Sequence, residues 1–291
     1  MCRMRIALLS ALSLASLSLA PAAAHPTPRR GGSFVAGFFG WPKETYCTDL
    51  TSGTVQTIEP RYLLDRLQLA AQCHFTLVIE PPRKRLSVTG ANGGGFSVES
   101  AERLTDEYAQ VLTPDVVRMY SGTILGFNLG DDYDCPTCWG GQEITQTQIA
   151  SWAAYTRARI PGLPLGVRMT PDWVEKNASL APLLDYAWAQ YTTRKGDPKK
   201  FFDEAARDAQ KLGIQIVMGV NTENCGGPHS DPCTAAELER VGGIAVSHPA
   251  SCAFLNWRYD AATWGQPDIQ AAWSRLMAEA AARSRRDCRR V

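Results

Sequence analysis

The sequence has 291 residues, of which 45% are hydrophobic and 20% charged, and its formal net charge is +1. This composition excludes an intrinsically disordered chain, which would have fewer apolar residues and a larger net charge. It also argues against a nucleic-acid-binding protein, because there is no excess of basic residues to neutralise a phosphate backbone.

The first 24 residues have the order of a secretory signal peptide. Residues 1–5 carry two arginines, residues 6–20 are an apolar run, and small residues at 22–24 precede His25. The run is shorter than the roughly 20 residues that a membrane-spanning helix needs, and no later segment is long and apolar enough. We therefore predict cleavage after Ala24, a secreted or periplasmic protein without a membrane span, and a polar lead-in over 25–32.

The cysteines agree with an exported protein. There are nine, and Cys2 falls within the signal peptide, which leaves an even number in the mature chain. An even number in an exported chain favours disulfide bonds. Cys135 with Cys138 and Cys225 with Cys233 could each close a short loop. Cys252 with Cys288 could tie down the C-terminus, and Cys47 and Cys73 remain as the last pair.

Along residues 33–291, short apolar runs alternate with amphipathic ones. Strands are predicted over 34–39, 75–80, 124–129, 165–169, 184–192, 214–220 and 252–258, with a poorly defined one at 54–58. Helices are predicted over 61–72, 98–112, 145–159, 198–212, 235–241 and 267–283. This alternation is typical of parallel βα units, and the length suits a (β/α)8 barrel of the TIM type with one degenerate or missing strand. A doubly wound open sheet is the alternative, but the sequence has no G-x-G-x-x-G or Walker motif. We predict a single barrel domain and a monomer.

Polar side chains collect where the predicted strands end. In a parallel barrel these ends form the face that carries the chemistry. The candidates are Glu80, Asn128, Asp131, Asp132, Arg168, Gln190, Tyr191, Asn221, Glu223, Trp257 and Tyr259. Carboxylates, amides and arginines that hydrogen-bond hydroxyl groups, together with aromatic rings for the apolar face of a sugar, favour a carbohydrate ligand.

Glycoside hydrolysis needs two carboxyl groups, one of them protonated. Asp131 or Asp132 could be the acid, since crowded carboxylates raise one another's pKa. Glu223 or Glu80 could be the second carboxyl group. The alternative is that these acidic residues cap helices and pair with arginines.

Three segments resemble clan-A-type glycoside hydrolases. TILGFNLGDD (residues 123–132) is similar to their fourth-strand segment, which ends in an acid/base carboxylate. GIQIVMGVNTE (213–223) ends where they place the seventh-strand nucleophile, and CAFLNWRYD (252–260) carries Trp257 where they place a sugar-stacking tryptophan. The resemblance implies Asp132 as acid/base and Glu223 as second carboxylate. The sequence departs from the family at the fourth strand, where Asp131, Asp132 and Tyr133 stand in place of Asn-Glu-Pro.

We therefore predict a glycoside hydrolase-like protein that acts on a carbohydrate, without metal or cofactor. One alternative is a carbohydrate-binding or cell-envelope interaction barrel without catalysis. Another is a metal-dependent barrel hydrolase or isomerase, with the metal on Glu80, Asp131, Asp132 and Asp134. A zinc site of cysteines with His229, and a redox role for Cys135 and Cys138, are less favoured than disulfides in an oxidising compartment. Trp188 is predicted to be core, whereas Trp41, Trp139, Trp257, Tyr259 and Trp264 are candidates for stacking on a ligand.

Overall fold

The structure of the protein is a computed structural model that describes residues 32–91, 93–227, 229 and 231–290. The predicted signal peptide, and the lead-in as far as residue 31, lie outside the described residues. None of the helices in the described part of the chain is long and apolar enough to cross a membrane.

Eight parallel strands form a closed barrel in the order of the sequence. They are β1 (Val35–Phe39), β2 (Gly53–Thr57), β3 (Thr76–Glu80), β4 (Ile124–Asn128), β5 (Leu165–Val167), β6 (Tyr186–Tyr191), β7 (Gln215–Val220) and β8 (Ser251–Asn256). The barrel closes between β1 and β8, where Val35 pairs with Ala253. The prediction of a (β/α)8 barrel is confirmed, and the strand expected to be degenerate or missing is present as β2.

The helices lie in the segments between the strands and after β8. They are α1 (Pro60–Gln72), α2 (Val98–Val111), α3 (Pro114–Met119), α4 (Gln146–Arg159), α5 (Pro171–Glu175), α6 (Pro198–Leu212), α7 (Ala235–Ser247), α8 (Ala261–Trp264) and α9 (Pro267–Ala281). Local chemistry sets their ends. The side chain of Asp197 accepts a hydrogen bond from Lys200 N at 2.7 Å before α6, and Gly213 ends that helix at a φ of 65°. The sequence did not indicate the short helices α3, α5 and α8.

Two apolar layers follow from the alternation of side chains along the strands. The outer faces of the strands pack against the helices in one large buried cluster. The inner faces fill the barrel with a second cluster, which includes Val35, Val78, Tyr186, Trp188 and Leu255. The interior of the barrel is therefore a packed core and not a pore.

Tyr186 lies inside the barrel against two glycines. A side chain at Gly126 of β4 or at Gly166 of β5 would collide with the Tyr186 ring. The buried Tyr186 hydroxyl donates to Asn128 Oδ1 at 2.8 Å. These two glycines thus make room for a tyrosine that holds a polar residue at the upper end of β4.

Four disulfide bonds connect the cysteines, in pairs that the sequence analysis gave as possible. The pairs are Cys47–Cys73, Cys135–Cys138, Cys225–Cys233 and Cys252–Cys288. The last one joins β8 to the segment that follows α9, across 36 residues of sequence. It therefore ties the C-terminal segment to the barrel wall.

Removing the Cys252–Cys288 bond is expected to destabilise the protein. Because a disulfide restricts the unfolded chain, the loss for a separation of 36 residues is about 4 kcal/mol of unfolding free energy. Urea denaturation of a C252S/C288S double variant measures this loss. The matched control is C135S/C138S, whose separation of 3 residues predicts about 2 kcal/mol. Equal losses in the two double variants would contradict the expectation.

Candidate active site

A cavity of about 400 Å³ opens at the carboxyl ends of the strands. We call it the mouth cavity. Most of the predicted site residues line it, namely Asp131, Asp132, Arg168, Gln190, Asn221, Glu223 and Trp257, and Asp134, Trp188 and Lys195 line it as well. These residues come from β6 and from the segments that follow β4, β5, β6, β7 and β8. The barrel thus brings together side chains that are far apart in the sequence.

The two aspartates lie in a tight turn directly after β4. Asp132 has a φ of 55°, in the left-handed region that few residues other than glycine adopt, although aspartate tolerates it. Its backbone N–H donates to Asp131 Oδ1 at 2.6 Å. The Trp139 indole N–H donates to the carbonyl oxygens of Asp131, at 3.2 Å, and Asp132, at 3.0 Å. The turn is fixed on both sides, which holds both carboxylates at the cavity.

Arg168 connects the two aspartates to the other side of the cavity. Its side chain is only 8% exposed and forms ion pairs with Asp131 and, at 3.3 Å, with Asp132. Its guanidinium also lies 4.2 Å from the centre of the Trp257 ring and donates to Gln190 Oε1 at 3.5 Å. Burial lowers the pKa of Arg168 to about 10, so the group remains charged at neutral pH. Arg168 is therefore the central cation of the site.

The carboxyl group of Asp132 is held between arginines from two loops. Arg83 donates to its Oδ2 at 3.2 Å and Arg168 to its Oδ1 at 3.3 Å. Burial raises the pKa of Asp132, Arg83 opposes that rise, and the nearby charge of Asp134 adds to it. The net effect is a carboxyl group that takes up a proton more readily than an ordinary aspartate does.

Glu223 is oriented by the segment that follows β8. Its Oε2 accepts a hydrogen bond from Trp257 Nε1 at 3.2 Å, and its Oε1 accepts one from Arg258 Nε at 3.0 Å. Asn221 Oδ1 accepts from the Glu223 N–H at 3.1 Å. Both carboxylate oxygens are thus positioned while the side chain stays 43% exposed.

Glu80 and Asn128 are buried residues that do not line the mouth cavity. Asn128 Nδ2 donates to Glu80 Oε2 at 3.3 Å, and its Oδ1 accepts from Tyr186. Burial raises the pKa of Glu80 against the opposing effects of the Arg168 charge and the Asn128 hydrogen bond. Glu80 is therefore a buried carboxyl group whose environment favours its neutral form.

The raised pKa of Glu80 predicts a pH-dependent stability. A carboxyl group with a raised folded-state pKa stabilises the fold at low pH, and this contribution is lost as pH rises from the unfolded pKa through the folded one. Glu80→Gln keeps a neutral polar group at the position and removes this loss. The variant is expected to gain stability relative to the wild type between pH 4 and pH 8, as measured by urea denaturation at both values. A difference in unfolding free energy that does not change with pH would contradict the assignment.

Two predicted binding residues point away from the mouth cavity. The Tyr191 hydroxyl donates to Gly196 O at 2.6 Å, and its ring packs against Phe201 and Phe202 of α6. Tyr259 packs edge-on against Trp41, with ring centres 4.8 Å apart. Their roles in the structure are in packing, because neither side chain lines the cavity.

The tryptophans that line the mouth cavity are not the set that the sequence predicts to stack on a ligand. Trp41, Trp139 and Trp264 are buried, and of the stacking candidates Trp257 alone lines the mouth cavity among the described residues. Trp188, predicted to be core, is buried but also lines the cavity, and its indole N–H donates to Leu255 O at 2.9 Å.

Sequence reasoning did not identify Arg83 or Tyr186. Arg83 follows the pair of prolines after β3, and it reaches Asp132, the Cys138 carbonyl oxygen and the face of Trp139. No local motif marks it, because its partners lie about 50 residues away in sequence. Tyr186 could have been found from its alternation with Trp188 and Gln190 along one face of β6.

The described residues include no group of three or more histidine, cysteine, aspartate and glutamate side chains arranged to hold a metal ion. Cys135, Cys138, Cys225 and Cys233, the thiols of the alternative zinc site, are paired in disulfides. The Arg168 guanidinium occupies the position between Asp131 and Asp132 that a cation would need.

Comparison with solved structures places this barrel beside glycoside hydrolases. One neighbour is a family 39 glycoside hydrolase from Bacteroides cellulosilyticus WH2, with a TM-score of 0.56 and 10% identity over 87% of this chain and 64% of that one. Another is the catalytic domain of a mannanase from Streptomyces sp. SirexAA-E, with a TM-score of 0.53 and 8% identity over 83% of this chain and 84% of that one. A third is an endoglucanase from Pseudomonas stutzeri, with a TM-score of 0.53 and 12% identity over 81% and 85%.

These similarities define the class of fold, a (β/α)8 barrel of the kind that these glycoside hydrolases have. At such low identity they show the fold alone. No protein-family model matches the sequence, and no curated protein matches it.

Proposed function

We propose that this protein is an exported glycoside hydrolase in which Asp132 is the general acid and Glu223 the second carboxylate. The observation that carries the proposal is the shared mouth cavity, which both carboxyl groups line from different sides of the barrel. Burial favours the protonated form of Asp132, as an acid requires, and two donors orient Glu223. The disulfides support export, as does the signal peptide that the sequence predicts over residues 1–24.

The mechanism needs a proton for the leaving oxygen and a carboxylate near the anomeric carbon. Asp132 would donate its proton as the glycosidic bond breaks, and Glu223 would attack the anomeric carbon or activate a water molecule. Arg168 would orient Asp131 and Asp132, while Gln190 and Asn221 would bind sugar hydroxyl groups. Any stacking of a sugar on Trp257 would have to use the part of the ring that Arg168 leaves uncovered.

A screen of the secreted protein against aryl glycosides and polysaccharides tests this proposal. The wild type is expected to hydrolyse at least one substrate, and the double variant D132N/E223Q is expected to be inactive on it. NMR of the first anomer released then distinguishes retention of the anomeric configuration from inversion. Retention requires the two carboxyl groups to be close enough for a covalent intermediate. Equal activity of the double variant and the wild type would refute the assignment.

A second candidate function is carbohydrate binding without hydrolysis. The observation that favours it is the pairing of Asp131 and Asp132 with arginines, since such pairing is also typical of structural ion pairs. Calorimetric binding of a polysaccharide that the protein leaves intact, lost in a Trp257→Ala variant, would support this function over catalysis.

A further inference from the structure

The C-terminal segment over residues 283–290 crosses the amino ends of the strands, opposite the mouth cavity. Ser284 forms an antiparallel bridge with Ser33, and Cys288 is bonded to Cys252 of β8. At its far end the Arg290 N–H donates to Asp185 Oδ1 at 3.0 Å, just before β6. The segment is thus fixed to the base of the barrel at three points.

A cavity of about 640 Å³ lies beside this segment, and we call it the base cavity. Three arginines line it, Arg285, Arg286 and Arg289, together with Ser121 and Thr123 from the turn before β4. The one carboxylate in the lining is Asp287, and its Oδ1 accepts from the Arg289 N–H at 2.9 Å. The lining therefore combines an excess of positive charge with hydroxyl groups.

These three arginines differ from the other two arginines of the segment. The Arg283 side chain donates to His248 O and covers the Phe34 ring, and Arg290 donates to Ala181 O. In the described part of the chain, no side-chain hydrogen bond or ion pair is formed by Arg285, Arg286 or Arg289. Burial lowers the pKa of Arg285, the Asp287 charge opposes this shift, and the neighbouring Arg289 charge adds to it. Three clustered guanidinium groups with a single carboxylate, Asp287, among them are suited to an anionic ligand.

A second cavity adjoins the first. Its volume is about 810 Å³, and Arg286 lines both cavities. Gln210 of α6, together with Gln215 and His248 near the amino ends of β7 and β8, lines this second cavity. Its charged lining residues besides Arg286 are Arg207 and Asp203. The two cavities together cross the base from β3 and β4 to β7 and β8, which is more room than a single small anion needs.

We propose that the base of the barrel binds an acidic polysaccharide, with its sulfate or carboxylate groups at Arg285, Arg286 and Arg289. Two adjoining cavities with hydroxyl, amide and guanidinium groups suit a chain of sugars that carries oxyanions. Arg285 and Arg289 are half-buried in a recess, so a flat membrane surface would reach them poorly. The site is at the opposite end of the barrel from the mouth cavity, and binding there does not depend on hydrolysis.

Titration calorimetry of the full chain with dextran sulfate, polygalacturonate and neutral dextran tests the proposal. The two acidic polymers distinguish sulfate esters from uronates, and neutral dextran controls for the sugar backbone. The wild type is expected to bind at least one acidic polymer and not neutral dextran. Arg285→Gln and Arg289→Gln are each expected to weaken that binding by about tenfold, because each removes a charge-assisted hydrogen bond. Binding should also weaken steeply with added salt.

The matched control is Arg240→Gln, which removes the same charge from an exposed position on α7. It should bind as the wild type does, and equal thermal unfolding of all variants shows that the fold is kept. Equal weakening in all three variants would mean that only net charge matters, and would overturn the site. Binding to phosphatidylglycerol vesicles without binding to either acidic polymer would overturn the polysaccharide as ligand, as would equal binding of neutral dextran.

Discussion

Replacing Asp132 with asparagine is expected to lower kcat on the substrate that the screen identifies by about 10³-fold, with little change in KM. Asparagine keeps the shape of the side chain but cannot donate the proton that the leaving group needs. Steady-state kinetics of the purified variant measure the effect. Asp134→Asn is the matched control, since Asp134 belongs to the same loop and lines the same cavity. We expect it to lose less than about tenfold in kcat.

The pH profile gives the same experiment a second readout. Because Asp132 must be protonated to act as the acid, the rate should fall as pH rises through its raised pKa. The Asp134 charge contributes to that raised pKa, so Asp134→Asn should shift the alkaline limb to lower pH. An alkaline limb that stays in place in Asp134→Asn, or a fully active Asp132→Asn, would rule out Asp132 as the acid.

Arg168→Met is expected to lower the free energy of unfolding by about 3–5 kcal/mol, measured by urea denaturation at pH 7. The substitution leaves the Asp131 carboxylate, whose side chain is only 15% exposed, without its ion-pair partner. The loss should shrink toward pH 4, because in the variant a carboxyl group without its cation takes up a proton more readily and then needs no counter-charge.

Two control variants separate the effect of charge from that of packing. Arg168→Lys keeps the charge but loses the planar guanidinium with its several N–H donors. It should therefore be more stable than Arg168→Met and less stable than the wild type. Arg83→Met removes a more exposed partner of Asp132, 33% exposed, and should cost about 1 kcal/mol or less. An equal loss for Arg83→Met and Arg168→Met would show that burial of Arg168 is not what makes it important.

The barrel could be predicted from the sequence because each βα unit carries its own local pattern. Strand β2 was the weakest prediction, since Gly53–Thr57 has one valine between polar residues and glycine. It forms nevertheless, because β1 and β3 pair with it on both sides. A strand that is stabilised mainly by its neighbours need not have the apolar pattern by which strands are predicted from sequence.

The site could be predicted only in part, and the alternation of side chains explains the difference. Gln190 points into the barrel and lines the mouth cavity, whereas Tyr191, one residue further, packs against α6. Both residues lie at the end of the same strand, but neighbouring side chains of a strand face opposite ways, so only one of the two can reach the cavity. The contact between Arg83 and Asp132 depends on how the loops after β3 and β4 pack against each other. A local sequence pattern does not predict such a contact.

The pairing of Ser33 with Ser284 brings the segment before β1 and the segment after α9 together at the base of the barrel. Every strand, including β1 and β8, has a neighbour on both sides, so the closed barrel has no edge strand. A peptide link across this junction, with a new opening in an exposed loop elsewhere, would preserve every strand pairing. The protein is therefore suited to circular permutation. The chain could start at a different βα unit and still form the same barrel.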